Sequence, residues 1–105
     1  MTRLITVAGL QLAFSGNRDA DIAMTAAAAR AAADGVDVVL PPELFEGHYF
    51  CRHEDEGLFV NALPLDKHPA VAAMREVALE TKTYIPCSFF EKDGHHHYNS
   101  LAMID

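Results

Sequence analysis

A chain of 105 residues, half of them hydrophobic and 22% charged, has the size and apolar content of one small domain that buries a core. Its net charge of −7 argues against a nucleic-acid partner, because neutralising phosphates takes clustered Lys and Arg. No apolar stretch approaches the roughly 20 residues that cross a bilayer, and no basic segment precedes an apolar leader with a small-residue cleavage site. Two widely spaced cysteines, Cys51 and Cys87, suit reduced thiols. The expectation is a soluble cytoplasmic protein, without membrane or nucleic acid.

Residues 3–14, RLITVAGLQLAF, are too uniformly apolar for simple alternation, which predicts a strand covered on both faces or nearly so. The triplet Ser15-Gly16-Asn17 breaks the run, and Asn17 or Asp19 caps a helix whose first turn carries Asp19 and Asp21. Ile22, Ala26, Ala29 and Ala33 recur at helical spacing, so small side chains let this helix lie close to a sheet; Gly35 ends it. Residues 36–40, VDVVL, form a short buried strand that Pro41-Pro42 terminates. A strand, a helix and a strand in that order form a βαβ unit with parallel strands.

Residues 52–62 read either as a short helix or as an acidic, solvated turn. Residues 68–82 form a helix with Pro69 in its first turn and Val71, Met74, Val77 and Ala78 on its apolar side, closed by Lys82. TYIPCSFFEK is a strand in which Pro86 points to an edge or a bulge; Asp93-Gly94 turns the chain, and HHYNSLAMID returns antiparallel. The order is β-α-β-α-β-β, an α/β fold in a single domain over 1–105. These strands read as buried, yet two layers leave one sheet face uncovered. The chain therefore reads as part of a larger structure, or as a subunit covered by a partner.

Ligands gather at the carboxyl ends of parallel strands, which is where Glu43 falls. Two readings stand side by side. In one, Glu43 is a helix N-terminal carboxylate favoured by the dipole. In the other it is a general base, buried among Leu44, Phe45, Tyr49 and Phe50 with its pKa raised by desolvation. Cys51 with His48 or His53 offers a thiolate–imidazole pair or a metal-ligand set, but no distant segment supplies matched partners. His95, His96 and His97 follow a turn where exposed polar residues are ordinary; Cys87, Met24, Met74 and Met103 occupy apolar positions that suit a core.

The stretch PPELFEGHYFC, followed by HPAVAAMREVALETKTYIPCSFFEKDGHHHYNSLAMID, resembles the carbon–nitrogen hydrolase (nitrilase) superfamily. The FEGHYFC tail and IPCSFFE narrow the resemblance to the branch that hydrolyses N-carbamoylputrescine. It implies a four-layer α-β-β-α sandwich, of which this chain is the N-terminal part, and a Glu-Lys-Cys catalytic set. Glu43 corresponds to the general base, while Tyr49, Phe45 and Phe50 would line the substrate pocket. The implied reaction yields putrescine, ammonia and carbon dioxide, with no metal or organic cofactor, in an enzyme that assembles as a homo-oligomer. Neither Cys51 nor Cys87 matches the nucleophile's position, and none of Lys67, Lys82 and Lys92 matches the lysine's. His48 stands where an aromatic is more usual. The expectation is a chain inactive alone. The alternatives are an amidase for another carbamoyl or aliphatic amide substrate, or a non-catalytic module that docks through its open sheet face.

Overall fold

The computed structural model describes residues 2–46 and 61–105. Among these residues, four strands and two α-helices follow the expected order: β1 (Val7–Gly9), α1 (Arg18–Ala32), β2 (Val38–Leu40), α2 (Pro69–Thr81), β3 (Ile85–Asp93) and β4 (His96–Ile104). β1 and β2 pair in parallel, and β3 and β4 pair antiparallel along their full lengths. A parallel bridge between Val38 and Tyr84 joins the two ladders into one layer ordered β1-β2-β3-β4.

Pro86 explains why that central junction is so short. Tyr84 donates its N–H to the Asp37 carbonyl at 2.9 Å, and Val39 donates to the Tyr84 carbonyl at 3.0 Å. The next donor in this parallel register is residue 86, and proline has no N–H. β3 is thus an inner strand rather than an edge. Its free stretch is met further along by Leu63, which donates to the Phe90 carbonyl at 3.2 Å and accepts from the Lys92 N–H at 3.1 Å.

The helices cover one face. Ile22, Ala26, Ala29 and Ala33 from the first helical segment and Val71, Met74, Val77 and Ala78 from α2 are all buried. They pack with Val39, Ile85, Cys87, Phe89 and Ile104 of the sheet. Asn17 caps α1 through its side chain, accepting from the Ala20 N–H at 3.0 Å. Lys82 closes α2 in a left-handed conformation, with φ of 56°. Arg30 of α1 donates to both carboxylate oxygens of Glu80 on α2, at 2.8 and 3.2 Å, fastening the helices at the surface.

The other face of the sheet is open. Val7, Leu40, Tyr84, Leu101 and Met103 are all exposed, the last two at 62%. This corrects two expectations: the first strand is three residues long and covered on one side only, and Met103 lies outside the core. The cause is the two-residue period of the strands, which sends alternate apolar side chains to the uncovered face. Among the described residues no helix is long and apolar enough to cross a membrane.

Candidate active site

β2 ends at Leu40, and the chain then turns sharply over Glu43 and Leu44. Leu44 adopts φ of 50°, a left-handed conformation that costs a non-glycine residue about 1–2 kcal/mol. The turn sends consecutive side chains in different directions. Leu44 is buried with Ala62 and Phe90, and Phe45 enters the main core with no exposed surface. Glu43 is left exposed on the open face of the sheet.

Glu43 lines an open recess of about 430 Å³. Leu40, Pro41, Pro86 and Leu101 form its apolar wall, and Ser88, Asn99 and Ser100 its polar one. A closed set of hydrogen bonds fixes the carboxylate there. The Leu44 N–H donates to Ser88 Oγ at 3.2 Å, Ser88 Oγ donates to Asn99 Oδ1 at 3.2 Å, and Asn99 Nδ2 donates to Glu43 Oε1 at 2.5 Å. Ser88 and Asn99 sit diagonally across the β3–β4 ladder, since Ser88 faces Leu101 and Phe90 faces Asn99. A second, larger recess of about 720 Å³ lies between α2 and the end of β4, lined by Val71, Leu79 and Met103 with Arg75 and Glu76. It shares no lining residue with the recess at Glu43.

Beneath the same turn lies a buried ionic cluster. Glu46 Oε1 is 3.4 Å from Arg18 Nη2, and Glu46 Oε2 is 2.7 Å from His68 Nε2, although off the line of a well-directed N–H bond. His68 Nδ1 accepts from the Ala70 N–H at 3.2 Å as the cap of α2, so the ring proton sits on Nε2, facing Glu46. Arg18 also donates to the Asn61 carbonyl at 3.2 Å.

Two expectations need correcting. Glu43 is exposed, not buried among aromatics, and Phe45 is a core residue rather than a wall of the recess. The left-handed turn at Leu44 causes both, because it separates the two sides of a segment that reads as one apolar pocket. Tyr49, Phe50, His48, Cys51 and His53 lie outside the described residues. Cys87 is buried in the core, and burial, followed by the Glu46 carboxylate, pushes its thiol up to about 12. His95 and His96 are exposed at the hairpin, and the described residues contain no group of three metal-ligating side chains. Ser88, Asn99, Glu46, His68 and Arg18 escape sequence reasoning. The visible signals were a serine between the apolar Cys87 and Phe89, an asparagine shortly before the apolar run Leu101–Ile104, and a histidine just before a helix-initiating proline.

Glu43 thus stands where open parallel sheets gather ligands, hydrogen-bonded to Asn99 and facing the recess. No protein-family model matches the chain. Its sequence is 42% identical over 104 residues to the N-carbamoylputrescine amidase of Solanum lycopersicum, covering 98% of this chain and 35% of that relative. The Arabidopsis thaliana protein of the same name is 41% identical over 104 residues, with 98% and 35% covered. A citrullinase of Francisella tularensis is 37% identical over 102 residues, with 96% of this chain and 36% of that protein covered. The crystal structure of a carbon–nitrogen hydrolase from Helicobacter pylori superposes with a TM-score of 0.80 at 25% identity, over 94% of this chain and 35% of that one.

Sequence and fold together place the chain in the carbon–nitrogen hydrolase superfamily. Within it, the similarity runs to proteins named N-carbamoylputrescine amidase, and the chain spans 35% of their length.

Proposed function

We propose that this chain supplies the general base of an enzyme that hydrolyses the ureido group of N-carbamoylputrescine. The observation that carries the reading is Glu43, exposed in a recess at the end of β2 and held by Asn99. In this mechanism Glu43 takes the proton of a cysteine thiol as its sulfur attacks the carbamoyl carbon. A lysine ammonium stabilises the oxyanion, and the amine leaves with a proton returned from Glu43. The thiol-linked carbamoyl group is then attacked by water that Glu43 deprotonates, releasing carbamate, which breaks down to ammonia and carbon dioxide. In this reading the cysteine, the lysine and the second sheet of an α-β-β-α sandwich over the open face belong to the part of the relatives' length that these 105 residues do not span. Tyr49 and Phe50 line the substrate pocket in this reading, and the assembled enzyme is a cytoplasmic homo-oligomer.

The similarity to a citrullinase favours a second reading, in which the substrate is a ureido amino acid. Citrulline carries the same ureido group with an added carboxylate, so both substrates would use Glu43 alike. The test is hydrolysis of each compound by the full-length enzyme and by its Glu43→Gln variant. Release of putrescine that vanishes in the variant supports the first reading. Preference for citrulline supports the second, and turnover unaffected by Glu43→Gln removes both. The 105 residues alone are expected to be inactive.

A further inference from the structure

We propose that Arg18, Glu46 and His68 are positioning residues that hold the turn presenting Glu43; the inference rests on Glu43 being the base. Glu43 and Glu46 are three positions apart, yet one lies in the open recess and the other is buried on the helix side. That separation depends on the left-handed backbone of Leu44. No glycine relieves this conformation, so the surrounding packing must impose it.

The imposing groups act from both sides. On the sheet side, the Leu44 N–H is bound by Ser88 Oγ. On the helix side, Glu46 faces Arg18, the first residue of α1, and His68, the cap of α2. His68 is itself fixed by the Ala70 N–H and by an edge contact on Phe89, with ring centroids 5.4 Å apart. Glu46 is buried between Arg18 and His68, so the cluster ties the turn to both helix N-termini at once, and taking away one partner leaves the others buried without it. Because a displacement near 1 Å at a catalytic group can cost about a hundredfold in rate, such stiffness bears directly on Glu43.

A purely structural role would lower stability and leave the Glu43 geometry alone, which gives the test. In the intact protein, Glu46→Gln keeps the shape and removes the charge; Arg18→Gln, at the more exposed partner, serves if the first variant fails to fold. The readouts are the nuclear Overhauser contact between the Asn99 side-chain amide and the Glu43 methylene, and steady-state hydrolysis of N-carbamoylputrescine. The expected result is loss of that contact with native backbone spectra elsewhere, and a kcat lower by about a hundredfold with KM within about twofold. Adding Glu43→Gln should abolish the turnover that remains. A folded variant that keeps the contact, and keeps kcat within about twofold, overturns the proposal. If the contact is lost while the unmodified protein does not hydrolyse the ureido compound, positioning stands and the proposed function fails.

Discussion

Asn99 Nδ2 donates to Glu43 Oε1 at 2.5 Å, across 56 positions of sequence. The contact joins the return strand of the hairpin to the turn after β2. It also determines which way the Asn99 amide faces. Turning the amide over would set Oδ1 against the Glu43 carboxylate, two acceptors with no proton between them. Ser88 completes the ring by accepting from the Leu44 N–H while donating to Asn99. The hairpin thus places one diagonal pair, Ser88 and Asn99, where it orients a carboxylate.

Replacing Asn99 with alanine should therefore disorder Glu43 without unfolding the sheet. A hydrogen bond to a charged group contributes about 1.5–3 kcal/mol, and exposure at the recess puts this one near the lower end. Turnover of N-carbamoylputrescine by the full-length enzyme is expected to fall about tenfold in Asn99→Ala. Asn99→Asp should fall further, because it sets a second carboxylate against the first. Steady-state kinetics checks both, and an unchanged kcat in Asn99→Asp would remove Asn99 from the site.

Pro86→Ala tests the reason for the short β2–β3 junction. Alanine restores the N–H that the register aims at the Val39 carbonyl, adding one ladder bond to an inner strand. The new amide should exchange with solvent at least about tenfold more slowly than an open strand amide. Hydrogen exchange followed by NMR reads this directly. Free exchange at residue 86 would show that the ladder stops for another reason.

Much of this architecture is legible in the sequence because each element satisfies one period along its whole length. The alanine spacing of α1, the Val71–Met74–Val77–Ala78 side of α2 and the Asp93-Gly94 turn are local signals, and the structure forms them with at most small changes at the ends. Gly94 alone carries positive φ at the two-residue loop between the strands, the pattern of a type II′ turn. Glu43 was visible for a topological reason, since strand, helix and strand fix where a parallel strand ends. Its partners were not. Asn99 and Ser88 reach Glu43 only through the β3–β4 register, and Glu46 meets His68 and Arg18 only because both helices start beside the turn. Phe45 was misplaced because a left-handed leucine has no sequence signature; its conformation is imposed by distant packing.

Cys87 should be inert although it is a free thiol. Burial and the nearby Glu46 charge raise it from an ordinary 9.0 to about 12. Its thiolate fraction at pH 8 then lies about a thousandfold below that of a free cysteine. Alkylation followed by peptide mapping should leave Cys87 unmodified in the native protein and modify it promptly in urea. The sign of the pH effect follows. Above 9 the unfolded thiol ionises while the folded one stays protonated, so this group's contribution to stability is intact below 9 and lost as pH rises toward about 12. Rapid native labelling at pH 8 would show that the thiol is accessible.

Asp21 carries the sharpest stability prediction. It lies in the first turn of α1 with only 2% of its surface exposed. Its Oδ1 accepts from the Ser15 N–H at 2.9 Å and the Ser15 hydroxyl at 2.7 Å, and its Oδ2 accepts from the Gly16 N–H at 2.9 Å. The carboxylate thereby folds the β1–α1 connection back onto the helix N-terminus, where negative charge is favoured. Asp21→Asn is nearly the same size, but its amide nitrogen must face at least one of these donors. A part-buried N–H then loses its acceptor, and hydrogen bonds to charged groups are worth about 1.5–3 kcal/mol. Urea unfolding should show a loss of that size, with a Tm lower by roughly 4–8 °C for each kcal/mol. Asp21→Ala should cost at least as much, since it strips the acceptor from both N–H groups. A loss below about 0.5 kcal/mol in both variants would mean that water satisfies Ser15 and Gly16 as well as the carboxylate does.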